Sequence, residues 1–347
     1  MRVSVLRHAR VLVPALAVTA LFLGSACGGD DDEPESTPTT AAPTTPASDA
    51  SPQASATSAS PTAAAAYPMK VTDLLGRTVE IKAKPTTIVA LSPTAVEYIY
   101  AVGGTVVGRT STVNYPEAAR AAKDIGTAYQ PNFEAILALK PDLVVADSVI
   151  HSQPTLRQPV EQLSVPVIFA GAESYEDVLK GLELMGRVLG ASDTAAKAIV
   201  DITKARDEAK AAIAGKQISA VALIADRDNT LYAAKEKSFA GDILTELGIK
   251  NPAAGQPDSG PFPGYTVLAI EKLLEFNPDY IFAITPAPPP APRLATLIPQ
   301  IPPFKGIKAV TANHVIDAEV QLFLQAPGPR IAEAFKAVAA AITGAGN

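Results

Sequence analysis

Cysteine and histidine most often hold metals or act as nucleophiles near neutral pH, and this chain of 347 residues has one Cys and three His. Cys27 stands alone, which excludes an internal disulfide and a cysteine-built zinc cluster. His8 lies in the extreme N-terminal region, so a folded part has His151 and His314 to work with. Two imidazoles fall short of the several-histidine sites that hold bare zinc or manganese. The sequence contains no Gly-x-Ser-x-Gly, no Gly-x-x-x-x-Gly-Lys and no His-Glu-x-x-His. Binding without catalysis is the expectation. With 29 Lys plus Arg against 35 Asp plus Glu, net charge −6, the chain lacks the basic surface that nucleic acid requires.

Several polar and aromatic residues are placed to meet a small ligand. Ser92 and Thr94 flank Pro93 directly after the apolar run Thr87 to Leu91, at a strand's carboxyl end, where open α/β sheets present ligands. A purely structural helix cap would use the same serine. Tyr115 precedes Pro116 after the polar stretch Thr110 to Asn114. As phenolate it could ligate ferric iron, as a neutral ring it could stack on a macrocycle, and as part of a Tyr-Pro turn it could simply pack on its own loop. His151 follows an apolar strand candidate and Asp147-Ser148, so it is expected at the mouth of the first half, as a ligand contact or an exposed loop histidine. Arg227, between Asp226 and Asp228 with Tyr232 nearby, is a candidate anion site unless the aspartates neutralise it. Tyr265 and Gln321 are weaker candidates.

An internal repeat supplies the scaffold. Phe133-Glu134-Ala-Ile-Leu-Ala-Leu-Lys-Pro141-Asp142-Leu-Val-Val-Ala146 recurs as Ile270-Glu271-Lys-Leu-Leu-Glu-Phe-Asn-Pro278-Asp279-Tyr-Ile-Phe-Ala283. In each copy a helical pattern ends at proline, which cannot continue it, and aspartate leads into a buried strand. Another strand candidate lies upstream of each copy, Thr87 to Leu91 and Ala220 to Ile224, which predicts two α/β halves with parallel sheets. Glu134 and Glu271 occupy equivalent positions, one per half, too far apart for an acid/base couple. Ser174 to Leu189 reads as one helix and Ser192 to about Ala214 as a second, long one closed by Gly215. Such a helix serves either as a strut between the halves, limiting how far a cleft opens, or as a surface helix of the first. Lys70-Val71 and Val79-Glu80-Ile81 flank Asp73-Leu-Leu-Gly76-Arg77 as a hairpin. Pro286 to Pro292 reads as a stiff second-half loop rather than a polyproline ligand.

Residues 1–26 carry Arg2, Arg7 and Arg10, an apolar run from Val11 to Leu23, and Gly24-Ser25-Ala26 before Cys27. This predicts a secretory signal, the run being shorter than a membrane span. The cysteine would become the new N-terminus, an arrangement that resembles a lipoprotein lipobox and makes Cys27 the lipidation site. From Gly28 to Ala66, Ala, Thr, Ser and Pro make up 30 of 39 residues, a tether that cannot bury a core. Setting aside three leader arginines and six tether acids leaves −3 on residues 67–347, too little for strong electrostatic steering.

The folded region resembles the helical-backbone class of ABC-transporter substrate-binding proteins, whose ligands are iron-siderophores, haem and cobalamin. The residues that carry the likeness are Val71 to Glu80, Pro85 to Pro93, Val107-Gly108, Tyr115-Pro116, Ile125-Gly126, Glu134 to Val145, Phe239 to Gly248 and Pro327-Gly328-Pro329-Arg330. The resemblance implies two Rossmann-like α/β lobes joined by a long interlobe helix, the class III periplasmic-binding-protein fold. The boundaries would be a signal peptide at 1–26, lipidated Cys27 and tether to 66, an N-terminal lobe at 67–173, a helical linker at 174–215 and a C-terminal lobe at 216–347. It further implies that Tyr115 faces a haem or corrinoid, and that Glu134 and Glu271 dock on arginines of a membrane permease served by an ATPase. The protein would be exported, lipid-anchored and monomeric, with no resident cofactor. Family cobalamin pockets often use tryptophan walls, and this chain has no Trp. Anionic siderophores call for an arginine cluster, where only Arg227 is placed and Arg109, Arg157 and Arg293 are unassigned. All three ligand classes stay open, as does a cell-surface sensor or adhesion module that uses the fold without transport.

Overall fold

The structure, a computed structural model, describes residues 66–344. The leader, Cys27 and the tether as far as residue 65 lie outside the described residues.

The first half opens with the hairpin β1 (Met69–Thr72) and β2 (Thr78–Ile81). Its turn needs a left-handed backbone at Gly76, φ +77°. Asp73 organises the turn: its carboxylate accepts from the Leu75 and Arg77 N–H groups and from the Arg77 guanidinium, and more weakly from the Phe169 N–H. There follow β3 (Ile88–Ala90), α1 (Pro93–Ala101), β4 (Gly108–Arg109), β5 (Lys123–Asp124), α2 (Phe133–Ala138), β6 (Leu143–Ala146), α3 (Pro154–Glu161) and β7 (Val167–Phe169). The sheet runs β5-β4-β3-β6-β7 and is parallel throughout. Its central strands are buried on both faces, which accounts for their unbroken apolar runs.

Two helices lead on: α4 (Tyr175–Val188), capped by Ser174, and α5 (Ser192–Ala212). At 21 residues α5 is about 32 Å long. Its buried stripe of Ala195, Ile202, Ala205 and Ala209 packs on α4 and on the last helix of the chain. Small residues allow this closeness: a Cβ at Gly186 would come within 2.5 Å of the Ala195 Cβ.

The second half contains β8 (Ala220–Ala225), β9 (Leu231–Ala234), α6 (Phe239–Glu246), β10 (Tyr265–Val267), α7 (Ile270–Phe276), β11 (Tyr280–Ile284), the single turns α8 (Leu294–Leu297) and α9 (Lys308–Thr311), β12 (Val315–Ala318) and α10 (Ile331–Thr343). Here the expectation of a parallel sheet needs correction. In the order β10-β9-β8-β11-β12 only β8, β11 and β12 are parallel, while β9 and β10 add antiparallel edges. The turn from Asp226 to Thr230 is the reason, since it is too short for a crossover and returns the chain as a hairpin. Asn229 takes φ 61° there, and Asp226 Oδ1 accepts from the Asp228 and Thr230 N–H groups.

The structure also explains the repeated aspartate. Asp142 accepts from the Thr86 and Thr87 N–H groups just before β3, and Asp279 accepts from the Ser219 N–H and hydroxyl just before β8. Each ties the helix-turn-strand unit to the start of its half's first central strand.

Candidate ligand-binding site

Parallel strands deliver their carboxyl ends, and the loops that follow, to one end of each half. Ser92 sits at the end of β3, where its Oγ accepts the Ala95 N–H as the N-cap of α1. It is 1% exposed. Thr94 is equally buried, but its Oγ1 has no hydrogen-bond partner. Gly328 of the second half lies over it, close enough that a methyl group there would stand 3.5 Å from Thr94 Cγ2.

His151 does not emerge at the mouth of the first half, and the exposed-loop alternative is equally wrong. It is fully buried against Phe169, ring centroids 5.5 Å apart, with Nδ1 2.8 Å from the Asp147 carbonyl oxygen. The short helical turn Ile150–Ser152 folds the ring inward, and burial lowers its pKa below the usual histidine value. Asp147 takes the position at the strand end instead. Burial pushes its carboxyl pKa up, against hydrogen bonds from the Val149 and Ile150 N–H groups and the Ser92 hydroxyl.

On the second half, Arg227 is exposed and among the described residues forms no ion pair. Asp226 is occupied by the Tyr232 hydroxyl, which donates to it at 2.7 Å. Arg109, Arg157 and Arg293 are each paired within the chain, to Asp124, Glu161 and Asp317. Tyr232 and Tyr265 are buried beside the exposed ring of Phe262, which meets Tyr232 edge-on at 5.0 Å. Gln321, buried in the π-helical turn Gln321–Gln325, donates through Nε2 to Gln325, and its Oε1 has no partner.

Tyr115 lies on the loop between β4 and β5. It is 45% exposed, its ring stacked beneath the Arg330 guanidinium at 4.3 Å. Together with Glu97, Pro116, Ile202 and Lys336 these two line a cavity of about 490 Å³ enclosed by α1, the Tyr115 loop, α5 and α10. The cavity therefore lies where the first half meets the last helix of the second. Glu97 was missed in the sequence, where it reads as one polar residue in an apolar helix; Arg330 appeared only as the end of a Pro-Gly-Pro-Arg motif. Among the described residues no group of three or more His, Cys, Asp or Glu is placed to hold a metal ion.

Glu134 and Glu271 stand in the first turns of α2 and α7, both exposed, and among the described residues neither is in an ion pair. Each helix precedes a central parallel strand, so its N-terminus lies toward the sheet end that carries the ligand loops.

A family model described as periplasmic binding protein matches residues 88–322, most of the chain. The chain belongs to the periplasmic binding protein family. The Bacillus subtilis ABC-transporter substrate-binding lipoprotein YvrC is 26% identical over 283 residues, covering 80% of this chain and 86% of that protein. Among solved structures, Staphylococcus aureus SirA complexed with staphyloferrin B superposes at TM-score 0.63 and 22% identity, covering 79% of this chain and 98% of SirA. The Vibrio cholerae vitamin B12 binding protein BtuF superposes at TM-score 0.61 and 19% identity, covering 76% and 98%. The class III periplasmic-binding-protein fold is thereby established. Other curated relatives align over 50 to 73% of their own length, with the Fe(3+) dicitrate-binding FecB of Escherichia coli, 30% identical, at 50%. Among the described residues of this periplasmic binding protein no helix is long and apolar enough to cross a membrane.

Proposed function

We propose that this periplasmic binding protein is the substrate-binding lipoprotein of an ABC importer. It takes a metal chelate of the iron-siderophore, haem or cobalamin type between its halves and delivers it to a permease. The observation that carries this reading is the cavity of about 490 Å³ at the junction of the halves, walled by a half-exposed tyrosine and an arginine. A ring and a fixed cation suit a large, flat, partly anionic ligand better than a bare ion. Siderophore and vitamin B12 binding in the names of its structural relatives agree with this class. Lipidation at Cys27 would hold the protein at the outer face of the cell membrane, with the permease and its ATPase as partners.

The test is an absorbance titration with hemin, cyanocobalamin and a panel of ferric siderophores. Saturable binding of one of them is expected, with Kd in the micromolar range or tighter, on the order of −8 kcal/mol. Tyr115→Phe separates two roles of the ring. Loss of a hemin Soret shift would assign the phenolate as iron ligand, whereas retained binding that Tyr115→Ala weakens at least tenfold would assign stacking. No binding anywhere in the panel would overturn the proposal and favour a sensor or adhesion module.

A further inference from the structure

Glu97 is 3% exposed on α1, in the first half, and its partner Arg330 is 233 positions away at the start of α10. Both donating nitrogens of the guanidinium, Nε at 2.9 Å and Nη2 at 2.7 Å, reach the same carboxylate oxygen, Oε1. The other, Oε2, is buried without a partner among the described residues. The same guanidinium lies over the Tyr115 ring, 4.3 Å from its centroid. One carboxylate thus fixes the arginine that walls the cavity and joins the two halves of the fold.

We propose that Glu97 is a positioning residue for the cavity, acting through Arg330 as a proton-linked tie between the halves. The groups around it are Arg330, Glu333 and Lys336 on α10, Tyr115, Tyr100 on α1 and Asp201 on α5. Burial raises the carboxyl to about 7, with Glu333 acting in the same direction and Arg330 in the opposite one. When α1 parts from the start of α10, Glu97 meets water and returns to an ordinary carboxylate value. The closed contact therefore binds a proton that the open one releases. Acid holds the halves together around Arg330, and raising pH through about 7 loosens them.

Hydrogen exchange followed by mass spectrometry on the full chain tests this, reading peptides across residues 93–101 and 326–331 after correction for intrinsic rates. From pH 6 to pH 8 the local opening equilibrium should rise about tenfold, the linkage expected for one carboxyl held near 7 when closed. In Glu97→Gln, which stays neutral, the pH dependence should vanish. A flat profile in the wild-type chain, or an unchanged slope in Glu97→Gln, overturns the proposal. If Glu97→Gln does not fold, Arg330→Gln serves: removing the opposing cation should move the midpoint to higher pH, and an unmoved midpoint overturns the tie. A corollary, weaker ligand affinity at pH 8 than at pH 6, rests on the proposed function; the exchange measurement does not.

Discussion

Changing Glu134 and Glu271 together to lysine is expected to abolish ligand uptake by cells that carry the matching permease, while the purified protein binds ligand as before. Each glutamate is exposed in the first turn of a helix, without an ion pair among the described residues, and at the same position of the internal repeat. A leucine follows each by three residues, Leu137 at 48% exposure and Leu274 at 39%, so each helix presents a carboxylate beside an apolar side chain the core does not use. Losing a desolvated charge pair costs about 2 to 5 kcal/mol, and two losses plus repulsion should lower uptake at least 100-fold. Neither glutamate lines the cavity, so affinity should stay within about twofold. Undiminished uptake in the double variant would sink the docking assignment; the two single reversals should each give a partial defect.

Asp73→Ala is expected to cost about 2 to 4 kcal/mol of stability, because it removes the acceptor around which the first hairpin closes and leaves backbone donors without a partner. The carboxylate is fully buried, while Arg77 reaches it with Nε and Nη2 and also donates to the Val167 carbonyl. Without Asp73 the guanidinium keeps its stack on Phe169 at 4.3 Å and its exposed pair with Glu161, neither of which satisfies the Leu75 and Arg77 N–H groups. A fall in melting temperature of roughly 10 °C follows, readable by calorimetry. A loss below about 1 kcal/mol would show that water replaces the carboxylate at no cost.

Local rules that act within a few residues were legible in the sequence. The hairpin around Gly76, the caps at Ser92 and Ser174, and the stop at Gly215 all follow from side chains meeting their own backbone. The repeat exposed the helix-turn-strand units because proline and aspartate punctuate both copies identically. The antiparallel edge of the second sheet was hidden because Leu231 to Ala234 reads as a strand in either direction. Only the length of the Asp226 to Thr230 turn decides between them. His151 was misplaced because strand order sets where a loop begins but not whether one helical turn folds its side chain inward. The partnership of Glu97 with Arg330 had no signal, since burial turns an unremarkable glutamate into a cross-chain anchor, and 233 residues of sequence carry no trace of that.

The Asp142 and Asp279 ties bear on the order in which the chain assembles. Each closes a loop within its own half, of 55 to 60 residues, so the central strand pairs can form before the halves meet. The Glu97 to Arg330 contact that joins the halves spans a longer separation, 233 residues. Docking of the halves is therefore expected to be the last event in folding. The seam formed last would also be the first to yield under mild denaturant, with both sheets still intact on either side of it.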